Sequence, residues 1–180
     1  MTQFRVPDPY AALPELPALR VTSESFTEGA TLSAAQLGGT MGVDGGLDRS
    51  PQVSWTPGPE GTETYVVTVF DPDAPTASGF WHWSVANIPA DVTSLPDGAC
   101  PGGDTSGLPE GAVVVRNDAG FRGFVGAAPP AGHGPHRYIL AVHAVGDRID
   151  LGDDASCAYV GFVLFGQGLA RGTTTAIYEQ

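Results

Sequence analysis

Polar side chains that could bind a small ligand stand at the ends of the most apolar segments of this chain. They are Asp71 at the end of TYVVTVFD, His82 near the start of FWHWSVANI, and His136 and Tyr138 at the start of HRYILAVHAV. Imidazole, carboxylate and phenol groups can together donate and accept hydrogen bonds around one small polar molecule. Because the chain has only four histidines, their position at strand ends makes these residues candidates for a binding site.

Alternation of side chains along a strand indicates how these groups meet, since residues two apart share a face. On this rule His82 shares its face with Ser84, Ala86 and Ile88. The same rule places the other three polar residues on apolar faces of their own strands. If these faces point into one core, the polar groups line its rim, which is how small-ligand pockets are commonly built.

Taken one at a time, each candidate has an ordinary structural explanation. A buried histidine is often only a hydrogen-bonded core residue, and an aspartate before proline often only forms a turn. We interpret His133, in a loop rich in glycine and proline, and His143, on the opposite face from His136, as structural. The combination of the four candidates, rather than any one of them, favours a site.

The elements that must position these residues are short strands. The chain has 25 Gly and 16 Pro among 180 residues, which is typical of many turns joining strands. Runs of β-branched and aromatic residues predict strands at 19–26, 50–55, 64–71, 80–88, 112–116 and 136–145. This pattern predicts a mainly β fold, an antiparallel β-sandwich of two sheets with Greek-key connections. We expect an N-terminal arm at 1–17 and a single domain at 18–180.

One helix is predicted near the C-terminus, over residues 155–172. Its apolar positions recur at helical spacing, Asp153 and Asp154 precede it, and Gly172 could end it. Three internal glycines weaken the helix by about 1 kcal/mol each relative to alanine. We therefore expect it to depend on packing against the sandwich.

Charge and composition exclude several classes of function. Twenty acidic residues against eight arginines give a net charge of −12, which opposes binding to nucleic acid or to anionic membranes. No apolar segment is long enough to span a membrane, and the first residues do not resemble a signal peptide. We expect a cytoplasmic protein in which Cys100 and Cys157 are thiols, with a homodimer as one possible assembly.

Three segments carry a family resemblance, namely DPDAP at 71–75, WHW at 81–83 and GFVGAAPPAGHGPHRY at 123–138. They resemble the two signature regions of the phosphatidylethanolamine-binding protein family, in particular its bacterial branch named after Raf kinase inhibitor proteins. SPQVSW at 50–55 and the terminal YEQ also fit the family pattern. One departure is Ala127-Ala128, where the family usually has Gly-Pro or a cysteine before the proline pair, and this bears on ligand shape.

The resemblance implies a surface pocket that accepts phosphate-like groups or phospholipid head groups, without a metal or other cofactor. Carried over by position, its residues are Asp71, Asp73, Pro75, His82, Gly126, Pro130, His136, Tyr138 and Tyr178. The resemblance also suggests a cis peptide bond in the loop that contains Pro72. We expect Tyr178 and the C-terminal helix to lie near the mouth of the pocket.

The expected ligand is a small anion such as phosphate, a phosphoryl head group or a sulfonate. Protonated His82 and His136 would donate to it, with Asp71 raising their pKa, so affinity for a sulfonate should fall between about pH 5.5 and pH 8.5. We expect a non-enzymatic binding protein. The alternatives are a regulator that binds a protein such as a kinase or protease and a metal-dependent hydrolase using Asp71, His82 and His136.

Overall fold

The structure, a computed structural model, describes residues 6–101 and 104–180. Within them it has eight strands and one α-helix. The strands are β1 Val21–Thr22, β2 Val53–Trp55, β3 Thr64–Asp71, β4 Phe80–Pro89, β5 Ser94–Leu95, β6 Val113–Val114, β7 His136–Val145 and β8 Gly168–Tyr178. The helix, α1, is Cys157–Gln167 and lies between the last two strands.

The strands form two antiparallel sheets, as the sequence predicts. One sheet has five strands in the order β6-β4-β3-β7-β8, and the other has three in the order β1-β2-β5. Strands β3 and β7 lie at the centre of the large sheet and every one of their residues is buried, which suits their runs of Val, Ile and Leu. The main core fills the space between the sheets, and its members include Tyr65, Val67, Val69 and Leu140. We call this side of the large sheet its inner face.

The opposite, outer face of the large sheet is covered by α1. A second apolar cluster forms there, with Val66 and Ala86 from the sheet and Cys157, Val160 and Leu164 from the helix. Ser156 caps the helix, since its side chain accepts a hydrogen bond from the backbone N–H of Tyr159. Both cysteines are buried thiols.

The predicted helix boundaries are wrong at the C-terminal end. Residues 168–172 belong to β8, which pairs with β7 along its whole length, from Gly168 opposite Val145 to Tyr178 opposite His136. Gly168 ends the helix in an extended conformation, and Gly172 lies within the strand. The run of three threonines after Gly172 favours a strand, so the β-branched residues decide this boundary.

Two irregularities in β4 change which of its side chains face the core. Val69 pairs with Trp83 but Phe70 pairs with Trp81, so His82 is an extra residue in the ladder. Such β-bulges re-aim side chains locally and are common beside binding sites.

A second shift in β4 surrounds Asn87, which has a φ of 59°. Between the two shifts Val85 faces the inner core while Ala86 lies in the outer cluster. The predicted alternation is therefore correct at His82 and Ile88 but wrong for Ser84 and Ala86.

Candidate ligand-binding site

The ends of β3, β4 and β7 enclose a cavity of about 140 Å³ on the inner-face side of the large sheet. Of the nine site residues predicted from the sequence, seven line it: Asp71, Pro75, His82, Gly126, Pro130, His136 and Tyr138. A cavity of this size holds a small chemical group rather than a whole drug-sized molecule, whose pockets are typically about 300 Å³ or larger. The binding role of these residues stays a prediction.

His82 is fixed in one tautomer by its surroundings. Its Nδ1 lies 2.8 Å from the carbonyl oxygen of Val125, and because a carbonyl only accepts, Nδ1 carries the proton and donates. Burial lowers the pKa of His82 to about 4, so the ring is neutral near pH 7 and its Nε2 is an acceptor. The prediction that the pKa of His82 is raised is therefore wrong.

Asp71 and two histidines form a continuous hydrogen-bonded chain. Oδ2 of Asp71 lies 2.7 Å from Nδ1 of His136, and Nε2 of His136 lies 2.7 Å from Nδ1 of His133. Oδ1 of Asp71 accepts from the backbone N–H groups of Asp73 and Ala74, at 2.8 and 3.0 Å. Burial raises the pKa of Asp71, opposed by its hydrogen bond to His136. Both ring nitrogens of His136 are thus already engaged by protein groups.

The Tyr138 hydroxyl is buried and has no hydrogen-bond partner among the described residues. Its ring packs edge-on against His82, with 5.2 Å between ring centres. Burial first, and then the nearby charge of Asp71, raise the pKa of Tyr138, so the hydroxyl keeps its proton. A buried hydroxyl without a partner costs free energy, and such groups are uncommon in folded proteins. This one is available to donate to a ligand.

Asp73 lies outside the cavity, contrary to the prediction. Its carboxylate forms a buried, two-pronged ion pair with Arg137: Nε and Nη2 of the guanidinium donate to Oδ2 and Oδ1 at 2.7 and 2.8 Å. Oδ2 also accepts from the backbone N–H of Arg137 at 3.0 Å. Asp73 therefore holds the loop after β3 against the start of β7. Asp71, two residues earlier in the chain, lines the cavity instead.

Tyr178 also does not line the cavity. It lies opposite His136 in the pairing of β8 with β7, and its partly buried ring packs against the main core. The described residues of α1 lie on the outer face of the sheet and none lines this cavity, so the helix is not at its mouth. The peptide bonds of the described residues are all trans, so the suggested cis bond near Pro72 is wrong.

Gly126 brings two backbone segments together beside the cavity. A Cβ at this position would lie 2.3 Å from the carbonyl carbon of Leu37 and 2.5 Å from the nitrogen of Gly38. Its N–H donates to Oδ1 of Asp48 at 2.8 Å. Only glycine permits this approach. The two alanines that follow Gly126 lie in different places: Ala127 is in the main core and Ala128 is on the cavity wall.

Seven residues outside the predicted set belong to the site or touch it. Six of them line the cavity, namely Met41, Ala74, Thr76, Phe80, Ala128 and Pro129, and His133 contacts His136. A signal for Phe80 was present, since it lies two residues before His82 and so shares its face. Nothing in the spacing of His133 distinguishes it from other loop residues, and Met41 reaches the cavity from a distant loop.

Comparison with known proteins agrees with this architecture. Residues 22–179 match the family model described as phosphatidylethanolamine-binding protein. The chain belongs to the phosphatidylethanolamine-binding protein family. Members of this family are ligand-binding proteins.

Two relatives from Escherichia coli K12 are similar over most of the chain. The UPF0098 protein YbcL is 44% identical over 163 residues, which cover 90% of this chain and 88% of YbcL. The UPF0098 protein YbhB is 42% identical over 162 residues, covering 89% of this chain and all of YbhB.

Solved structures of the family share the fold. The crystal structure of E. coli YbcL, described as a new member of the mammalian PEBP family, has a TM-score of 0.83 at 42% identity, covering 90% of this chain and 98% of that one. The structure of a PEBP homologue from Chlamydia trachomatis has a TM-score of 0.73 at 24% identity, covering 91% of this chain and 98% of that one. At that lower identity the likeness concerns the fold alone.

Two further observations concern the alternatives raised by the sequence. Among residues 6–101 and 104–180, no three His, Cys, Asp or Glu side chains are grouped so that they could hold a metal ion. The triad of Asp71, His82 and His136 thus has no support as a metal site from this geometry. The helix of the described chain is too short to cross a membrane.

Proposed function

We propose that the protein binds a small phosphoryl group in its monoanionic, singly protonated form, in the cavity between Asp71, His82, His136 and Tyr138. The observation that carries the proposal is a complementary pair of polar groups on one wall. Tyr138 offers a buried hydroxyl proton without a partner in the described chain, and neutral His82 offers an acceptor at Nε2. A ligand satisfying both must accept one hydrogen bond and donate another.

A phosphate monoester with one P–OH group has both capacities. Its unprotonated oxygens accept from Tyr138, and its P–OH donates to His82. A sulfate ester has the same shape and can only accept. This differs from the expectation from sequence that two protonated imidazoles would donate, because burial keeps His82 neutral.

The negative charge of the protein and of the site also favours the singly charged form of a phosphoryl ligand over the doubly charged form. The protein carries a net charge of −12, and Asp71 lies on the cavity wall. No arginine is among the residues that line this cavity. A dianionic phosphate would therefore be repelled more strongly than the monoanion.

The size of the cavity indicates which part of a ligand enters. A volume of about 140 Å³ accommodates a phosphoryl group and its first substituent. The remainder of a larger molecule would extend past the rim, where Met41 and Pro130 stand. We propose binding, without catalysis, as the role of the site. Regulation of a protein such as a kinase stays a prediction from the resemblance.

Titration of ¹⁵N-labelled protein with methyl phosphate at pH 5.5, followed by NMR, tests the proposal. We expect saturable shifts at Tyr138 and His82. Tyr138→Phe should weaken binding at least about tenfold, since a hydrogen bond to a charged group contributes about 1.5–3 kcal/mol. Tyr159→Phe, on the exposed side of α1, is the matched control and should leave affinity unchanged. Equal affinity for Tyr138→Phe and the parent would refute the proposed donor.

A further inference from the structure

A larger cavity, of about 290 Å³, lies on the outer face of the five-stranded sheet. It is enclosed by residues 9–16, the sheet and α1, so a different set of elements builds it. Aromatic rings supply much of its wall, including Tyr10, Phe70, Trp81 and Phe165. Phe70 and Trp81 are packed together with 4.3 Å between ring centres. Its volume and apolar lining are typical of small-molecule sites.

A buried imidazole, that of His143, is part of the cavity wall. His143 lines the cavity with a relative exposure of 5%, and no described residue donates to it or accepts from it. Burial, helped by the charge of Arg171, lowers the pKa of His143 to about 3, so its ring is neutral. A neutral imidazole has one N–H donor and one acceptor, so this ring can exchange hydrogen bonds with a ligand in the cavity.

Arg171 lines the same cavity and lies directly opposite His143 in the pairing of β7 with β8. Its guanidinium donates to the carbonyl oxygen of Pro14 at 3.2 Å and lies 5.5 Å from the centre of the Tyr10 ring. Within the described part of the chain it forms no ion pair with a carboxylate. This is notable because acidic residues outnumber arginines by 20 to 8.

We infer that this cavity is a second binding site, for a small aromatic monocarboxylate. The carboxylate would accept hydrogen bonds from the guanidinium of Arg171 and the N–H of His143, which adjacent strands hold side by side. The aromatic body would pack among Tyr10, Phe70 and Trp81. A single negative charge matches the single arginine on the wall.

The two cavities lie on opposite faces of one sheet. Strand β3 contributes Thr68 and Phe70 to the outer cavity and Asp71 to the inner one, as alternation along a strand requires. The outer site therefore does not depend on the phosphoryl site, and either proposal can fail alone.

NMR titration with sodium phenylacetate tests the inference directly. The three tryptophans should give separate indole N–H signals. Trp81 lines the outer cavity, while Trp55 and Trp83 lie in the main core. We expect a saturable shift of the Trp81 indole and little change for the other two. Phenylacetamide, the uncharged analogue, should bind at least tenfold more weakly. Shifts confined to the residues around His82 would overturn the inference, as would equal affinity for the two compounds.

Two pairs of variants complete the test. Arg171→Gln should weaken phenylacetate binding at least tenfold, whereas Arg20→Gln removes the same charge from an exposed position and should have no effect. Gly161→Leu places a side chain in the cavity, since a Cβ there meets only the Trp81 ring at 3.8 Å. Gly166→Leu points into open space on the same helix and is its control. Undiminished binding by folded Gly161→Leu protein would contradict the assigned site.

Discussion

Nε2 of His136 lies 2.7 Å from Nδ1 of His133, so one of these ring nitrogens donates a hydrogen bond to the other. On its other side, His136 faces the Asp71 carboxylate at the same distance. A histidine at the centre of such a chain cannot turn its ring towards a ligand without breaking a contact. On this geometry, the hydrogen-bonding groups left for a ligand are those of Tyr138 and His82 rather than those of His136.

Replacing His133 with alanine removes one of the two hydrogen-bond partners of His136. We expect the free energy of unfolding to fall by about 1 kcal/mol, the net contribution of an ordinary hydrogen bond. In ¹⁵N spectra of the histidine rings, the Nε2 signal of His136 should move more than its Nδ1 signal. His133→Gln keeps a hydrogen-bonding side chain and should recover part of the stability. Unchanged His136 ring signals in the alanine variant would show that the contact is not formed in solution.

The Asp73–Arg137 pair should matter for stability rather than for binding. Asp73→Ala removes the carboxylate from a buried ion pair with Arg137, and breaking a buried pair in this way typically costs about 3–5 kcal/mol. Asp153→Ala breaks an exposed pair with Arg122 and should cost less than about 1 kcal/mol. Urea unfolding of the two variants measures the difference. A loss for Asp73→Ala no greater than that of the control would show that the buried pair is not formed.

Gly126→Ala tests the close approach of the backbone beside the cavity. The added Cβ meets main-chain atoms of Leu37 and Gly38, which cannot move aside as a side chain would. Overpacking of this kind typically costs about 1–3 kcal/mol, and we expect weaker methyl phosphate binding as well. Gly152→Ala meets no atom within 4 Å and is the matched control. Equal thermal stability of the two variants would mean that residues 37–38 and 126 are not in contact.

Acid should destabilise the protein before its carboxylates titrate. Burial lowers the pKa of His82 to about 4 and that of His143 to about 3. The unfolded chain takes up these protons near pH 6.5 but the folded chain resists, so stability is lost as pH falls from about 6.5 towards 4. The raised pKa of Asp71 acts in the opposite direction.

We expect the free energy of unfolding to drop by about 3 kcal/mol or more between pH 7 and pH 4.5. Urea unfolding at the two values of pH measures this change. His143→Gln should reduce it substantially, because one of the two buried imidazoles is then absent. A stability that is level across this range would contradict the burial of both rings.

Local patterns predicted most of the fold and part of the site. Runs such as those of β3 and β7 are rich in β-branched, aromatic and other apolar residues, which is typical of buried strands, so the large sheet was predictable. The bulge at His82 was not, because a bulge depends on how two strands pair rather than on either sequence alone. The start of the strand after α1 was missed because its apolar residues also fit helical spacing and Gly172 could end a helix, whereas pairing with β7 makes it a strand.

The roles of individual residues at the site were harder to predict from the sequence than the location of the site in the fold. Asp71 and Asp73 are two residues apart in one motif, yet one faces the cavity and the other pairs with Arg137. The pKa of His82 depends on its depth of burial, which the sequence does not reveal. His133 reaches His136 because the loop folds back, and no periodicity marks it.

The most direct test of the phosphoryl-binding proposal compares methyl phosphate with methyl sulfate at pH 5. At this pH both ligands carry one negative charge and have nearly the same shape, but only the phosphate has a hydroxyl to donate to His82. Isothermal titration calorimetry should show methyl phosphate binding at least about tenfold more tightly, a difference of about 1.4 kcal/mol. The affinity for methyl phosphate should also fall as pH rises to 7.5, because methyl phosphate loses its second proton at about pH 6. Equal affinities for the two ligands, or tighter binding of the phosphate at pH 7.5, would contradict the proposal that the site selects a protonated phosphoryl group.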